Sequence, residues 1–136
     1  MNKQKKEKYI KKSFESDLST NDTSANIYMS MLLSPKWHEL SKNAQVLYIY
    51  CKAQYYAEKK KPQPLNRQLT EQEQQQCFTM NKSKWQGLYK IYTNERQFYK
   101  DMEMLIEYGF IELIENGKHT RTKSIYMLSN KWKENP

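Results

Sequence analysis

Glycine is scarce in this chain: three occur in 136 residues, Gly87, Gly109 and Gly117. So small a supply cannot build a loop that cradles phosphate with closely spaced glycines. Cysteine is rarer still. Cys51 and Cys77 lie far apart and, with only His38 and His119 to join them, make no zinc-binding spacing. Two buried, reduced thiols in a cytoplasmic protein are expected instead. No apolar run approaches the ~18 residues needed to span a bilayer. No apolar core follows the basic residues 1–6, so neither a membrane association nor a secretion signal is expected. GxSxG, HExxH and DxDxDG patterns are also missing. Without a paired catalytic constellation, the sequence predicts no enzyme and no cofactor, metal or small-molecule ligand.

The usual core formers are few as well. Leu, Ile, Val and Phe number 24 of 136, and the net charge is +8. That combination borders on the composition of disordered chains. Eleven Tyr, seven Met and three Trp restore the apolar surface, so one compact domain with an aromatic and thioether-rich core is expected.

Residues 1–26 hold six lysines and four acids without periodicity, and read as a flexible basic arm. The texture changes at Ile27, where residues 27–33 are apolar and short. Ser34-Pro35 then reads as an N-cap with proline at the first helical position. Ser41 caps the best helix of the chain, with Ala44, Leu47, Tyr48, Cys51 and Tyr55 in one stripe. Val46, Ile49, Tyr50 and Ala53 make a second stripe, which serves either the core or a partner chain. Residues 58–76 form a charged, amide-rich bridge broken at Lys59-Lys60-Lys61-Pro62-Gln63-Pro64. Within it Thr70 and Glu73 fit a capping box, which suits a short helix or a loop equally.

A denser rhythm follows. Residues 77–80 are a strand candidate. Asn81 or Ser83 caps a helix over 81–91 with Trp85, Leu88 and Tyr89 in one stripe, and Trp85, Tyr89 and Tyr92 are expected in the core rather than as a stacking platform. Residues 92–94 make a turn, and Asn94 caps a longer helix with Phe98, Met102, Leu105 and Ile106 facing inward. Gly109 stands where a C′ glycine belongs. Phe110, Ile111, Leu113 and Ile114 then form a strand, Asn116-Gly117 is a hairpin signal, and residues 124–128 return as a second strand, with a loop longer than two residues if pairing resumes only at Ser124.

Helix, short strand, helix, turn, helix and basic-tipped hairpin is the order of a winged helix-turn-helix. Three stretches carry the likeness: Phe78-Thr79-Met80, the run from Phe98 through Met102, Leu105-Ile106 and Tyr108-Gly109-Phe110-Ile111-Glu112, and Ser124-Ile125-Tyr126-Met127-Leu128. With the opening at Ile27-Tyr28-Met29, Ser34-Pro35, Leu40-Ser41, Ala44 and Leu47-Tyr48, the chain resembles small winged-helix DNA-binding proteins of plasmids, phages and conjugative elements of low-GC Gram-positive bacteria. The likeness covers roughly residues 27–133. It implies an α+β, mainly α fold with a C-terminal β-hairpin wing in a domain over 27–136. It also implies action on double-stranded DNA at an operator, replication origin or transfer origin. The bridge is longer than such a fold needs.

Charge placement argues for nucleic acid independently. Residues 81–100 hold Lys82, Lys84, Lys90, Arg96 and Lys100 against Glu95, and residues 116–133 hold Lys118, Arg121, Lys123, Lys131 and Lys133 against no acid. Acids gather instead between 101 and 115. Such segregation attracts phosphate and orients its approach. On the recognition helix, Arg96 suits guanine and Gln97 adenine. Tyr99 and Lys100 suit sugar or phosphate, and the backbone at Thr93 and Asn94 suits a phosphate at the helix start. Ser83 and Lys84 are expected to anchor phosphate from the preceding helix. Lys118 and Arg121, flanked by His119, Thr120 and Lys123, are expected at the minor groove or its phosphates. Symmetric repeats are commonly read by dimers, so a homodimer through the second stripe fits this reading. The contrasting reading is a protein-interaction module, such as an inhibitor of a host nucleic-acid enzyme, which should tolerate the loss of Arg96, Gln97 and the wing.

Overall fold

A computed structural model describes residues 10–18, 22–117 and 123–133. Five α-helices occur among them: α1 (Met29–Leu32), α2 (Pro35–Glu39), α3 (Lys42–Ala57), α4 (Glu71–Gln75) and α5 (Glu95–Glu107). The strands are β1 (Cys77–Thr79), β2 (Ile111–Glu115) and β3 (Ile125–Leu128). The architecture is α+β, with one antiparallel sheet in the order β1-β3-β2. Residues 22–28 carry neither helix nor strand.

Local chemistry sets most helix ends. The Ser34 hydroxyl accepts the Trp37 N–H at 3.3 Å and that of Ser41 accepts the Ala44 N–H at 3.1 Å. Each satisfies a donor that the first turn leaves unpaired. Thr70 and Glu73 close a reciprocal capping box, which gives the bridge the short helix α4. At the far end of α5, Gly109 has φ +86°. Its N–H donates to Ile106 O at 3.1 Å and that of Phe110 to Leu105 O at 2.9 Å, the paired bonds of a Schellman motif.

The first α3 stripe is the floor of the core. Ala44, Leu47, Tyr48 and Cys51 are buried there, while Tyr55 is half-buried. Trp37, Tyr48 and Phe110 meet edge-on with ring centres 5.5–5.7 Å apart. From α5, Phe98 stacks on Trp85 at 4.9 Å, and Tyr92 stands edge-on to both. Phe98, Met102 and Leu105 are buried and Ile106 is partly so.

The sheet is apolar on both sides. Phe78, Ile111 and Tyr126 face the helices, while Cys77, Ile114, Ile125 and Met127 form a smaller cluster on the other side. Strand alternation divides them. The bridge covers that outer cluster: Leu69 packs on it, and the Leu65 and Asn66 N–H groups donate to the Glu115 carboxylate at 2.9–3.1 Å.

Two expectations are corrected. The helix expected over 81–91 is a six-residue π-helical segment, Ser83–Leu88, whose N-cap position is Lys82 with no side-chain cap from Asn81 or Ser83. Its wider winding appears as the Tyr89 N–H donating to Lys84 O at 2.8 Å, and it leaves Leu88 60% exposed rather than in one stripe with buried Trp85. Lys90, at φ +55°, ends the segment. The β-hairpin loop is longer than two residues, as expected where pairing resumes only near Ser124. Glu115 pairs with Ile125 beyond a register shift between Leu113 and Glu115, so the β2–β3 connection runs from 116 to 124.

Candidate nucleic-acid interface

The expected contact residues sit on the π-helical segment, the turn after it, the first turns of α5 and the base of the β2–β3 connection. Thr93, Asn94, Arg96 and Lys100 are exposed, and Tyr99 is 40% exposed. The Tyr99 ring lies edge-on to Phe98 at 5.1 Å. Its phenol pKa is raised, chiefly by burial and then by the nearby Glu95 charge. It is therefore a neutral side chain able to donate or accept one hydrogen bond.

Asn94 is already occupied. Its side-chain oxygen accepts the N–H groups of Arg96 at 2.8 Å and Gln97 at 3.4 Å. Those two donors of the first turn serve the cap, so a phosphate at this end depends on the remaining backbone and on side chains.

Gln97 does not project outward as expected. It is half-buried and its Nε2 donates to Asp101 Oδ1 at 3.0 Å, one helical turn along. Asp101 is 4% exposed and also accepts the Tyr92 hydroxyl at 2.6 Å. A buried carboxylate needs such partners, and this one takes them from its own helix and from the preceding turn. The sequence reading grouped Asp101 with the surface acids; no local pattern distinguishes it from Glu103 or Glu107. Only the burial of Tyr92 beside Phe98 makes it an interior acceptor.

Ser83 is exposed and donates to Asn81 Oδ1 at 2.9 Å. Lys84 is half-buried and Lys123 is exposed, and both line one groove of about 740 Å³. The other wing candidates, Lys118, His119, Thr120 and Arg121, lie outside the described residues.

Three further lysines line the same groove: Lys59, Lys60 and Lys61, from the start of the bridge. The one carboxylate among its lining residues is Glu58, which is hydrogen-bonded within the protein. It accepts the Thr79 N–H at 3.0 and 3.3 Å, the Thr79 hydroxyl and the Gln54 amide, and Gln54 in turn accepts the Tyr89 hydroxyl at 2.8 Å. The described salt bridge, Lys131 to Glu112 at 2.8 Å, involves none of these lysines. Lys61 is the anchored member: its Nζ donates to Tyr55 O at 2.6 Å and lies 4.0 Å above the Tyr55 ring. Burial lowers its pKa, while Glu58 and then Cys77 act in the opposite direction. The Lys59-Lys60-Lys61 run is visible in the sequence, but only the fold sets it beside Lys84 and Lys123.

Cys51 and Cys77 are free and buried, and burial pushes the Cys77 thiol up to about 11 and that of Cys51 higher still. Among the described residues, no group of three or more His, Cys, Asp or Glu is placed to hold a metal ion, and no helix is long and apolar enough to cross a membrane. Compared with known protein families, curated proteins and solved structures, the chain matches none.

Proposed function

We propose that this chain is a winged helix-turn-helix protein that binds double-stranded DNA, with α5 as recognition helix, the π-helical segment before it as the supporting helix, and the β2–β3 hairpin as wing. The order of elements and the β1-β3-β2 sheet support the assignment. One observation carries it furthest. Lys84 and Lys123 come from separate elements, both were expected at phosphate from sequence alone, and they line one groove. Cationic side chains that share a groove hold a phosphate backbone and fix register, while exposed Arg96 on the first turn of α5 reads a base edge. Gln97, tied to Asp101, supports that turn from behind rather than reading adenine.

The reading includes action at a repeated site, read by a dimer. Val46 and Ile49 of the second α3 stripe remain 45% and 40% exposed, which suits contact with a second copy. Sedimentation of wild type against Ile49→Asp should show a dimer that the charge dissociates.

The direct test is titration of a fluorescent duplex over a range of salt. Lys84→Ala and Lys123→Ala should each reduce the slope of log K against log salt by about 0.9. Arg96→Ala should relax preference at one base pair, worth about 1–3 kcal/mol on the best site. Unchanged slopes for both lysine variants would remove the groove from the interface. Intact affinity and selectivity in all three variants would favour a protein partner instead.

A further inference from the structure

We propose that the bridge is a third DNA-contacting element, with Lys59 and Lys60 gripping the phosphate backbone in the groove that they share with Lys84 and Lys123. This inference rests on the duplex-DNA reading above and extends it to a segment that the winged-helix order leaves without a role.

Three observations support it. First, the groove gathers Lys59, Lys60, Lys61, Lys84 and Lys123 around a single carboxylate, that of Glu58. Glu58 accepts hydrogen bonds from Thr79 and Gln54 and its charge acts on Lys61, so the five lysines outnumber it. Five cationic groups in one concavity repel one another unless an anion enters, so the groove concentrates a field that favours a polyanion. Second, the loop is held before any ligand arrives. Lys61 is fastened to the Tyr55 carbonyl and ring, Pro62 and Pro64 restrict the chain just after it, and Leu65 and Asn66 are bonded to Glu115 of β2. Lys59 and Lys60, both exposed, are thus presented from a fixed loop, which lowers the ordering cost of contact. Third, the residues that line the groove are lysines, glutamines, Thr79, Glu58 and Pro62, with no aromatic or branched aliphatic side chain among them. Its chemistry suits the point charges of a phosphate backbone more than a peptide or a small organic ligand.

The test compares salt slopes for the full-length chain on one fluorescent duplex. Lys59→Ala/Lys60→Ala should reduce the slope by about 1.8, so that between 50 and 200 mM salt wild type loses about 12-fold more affinity than the variant. Lys59→Arg/Lys60→Arg should keep the wild-type slope. Lys36→Ala/Lys133→Ala removes the same charge from residues that do not line the groove, and should leave the slope within about 0.5 of wild type. A wild-type slope in the Lys59/Lys60 alanine variant, with Lys84→Ala still lowering it, would overturn the bridge contact and leave the DNA reading standing. An equal loss in the Lys36/Lys133 variant would also overturn it, as an effect of net charge alone. If wild type fails to bind duplex DNA, the underlying reading and this inference fall together. Thermal unfolding of the Lys59/Lys60 variants should match wild type, since both residues are exposed and form no described ion pair.

Discussion

Replacing Gln97 by alanine separates two roles that one side chain on a recognition helix can have. The amide lies 3.0 Å from Asp101 Oδ1, and that carboxylate is 4% exposed with the Tyr92 hydroxyl as its other described partner. Losing a hydrogen bond to a charged group costs about 1.5–3 kcal/mol, toward the upper end when the remaining charge stays buried. At this chain length a kilocalorie shifts the unfolding midpoint by roughly 3–4 °C. Gln97→Ala should therefore unfold about 5–10 °C below wild type, whereas exposed Arg96→Ala should stay within about 2 °C. Asp101→Ala removes both described bonds but also the cost of burying a charge, which gives a net loss of about 2–4 kcal/mol. The double variant should then lose less than the two single losses together, because the amide has no carboxylate to serve. Circular dichroism melts and urea titrations supply the values. A Gln97→Ala midpoint within a degree of wild type would refute the inward bond and return Gln97 to the list of base-reading candidates.

Two further outcomes follow from the same geometry. A methyl group at Gly109 would meet the backbone carbon of Lys131 and nitrogen of Trp132 at 2.8 Å, in a residue already at φ +86°. Gly109→Ala should cost about 2–4 kcal/mol, combining left-handed strain with a weakened Phe110–Trp132 stack, and redden the Trp132 emission; a midpoint within 2 °C of wild type would contradict this. The second outcome concerns alkaline pH. Burial raises Tyr48 and Tyr126 above the ordinary 10.0 and Cys51 above 9.0. These groups bind protons more tightly when folded, so their contribution is intact below the ordinary values and is lost as pH climbs toward the folded ones. Stability should fall from about pH 9 upward and fall more steeply past pH 10, as the buried tyrosines join the thiol. Phenolate absorbance followed beside circular dichroism checks it: full tyrosine ionisation with the fold intact would overturn the burial of Tyr48 and Tyr126.

What could be read from the sequence is what neighbouring residues decide among themselves. Ser34-Pro35, Ser41, Thr70 with Glu73, Asn94 and Gly109 each fix a helix end within a few positions, and each cap forms. The α3 and α5 stripes were legible because periodicity is local too. The failures are long-range or concern winding. Leu88 turns outward because the segment widens into a π-helix, which no spacing rule anticipated. Gln97 turns inward because Asp101 is buried beneath it, and Asp101 is buried because Tyr92 packs on Trp85 and Phe98. Trp132 stacks on Phe110 at 5.9 Å although it stands beyond the last expected strand. The role of the bridge was not legible because its contacts reach across the chain: Leu65 and Asn66 to Glu115, Glu58 to Thr79, and Leu69 to the outer face of the sheet. Of the candidate site, Lys84 and Lys123 were named from charge alone. Their shared groove with the bridge lysines needed the fold.

The central claim is that this protein reads double-stranded DNA, and selection from random duplexes with the full-length chain at about 150 mM salt tests it most directly. At that ionic strength charges separated by more than about 8 Å are largely screened, so binding by a basic surface alone is weak. Enrichment of a defined repeat, lost at one base pair in Arg96→Ala and weakened uniformly in Lys84→Ala, is the predicted result. Binding without enrichment that vanishes as salt rises would contradict it.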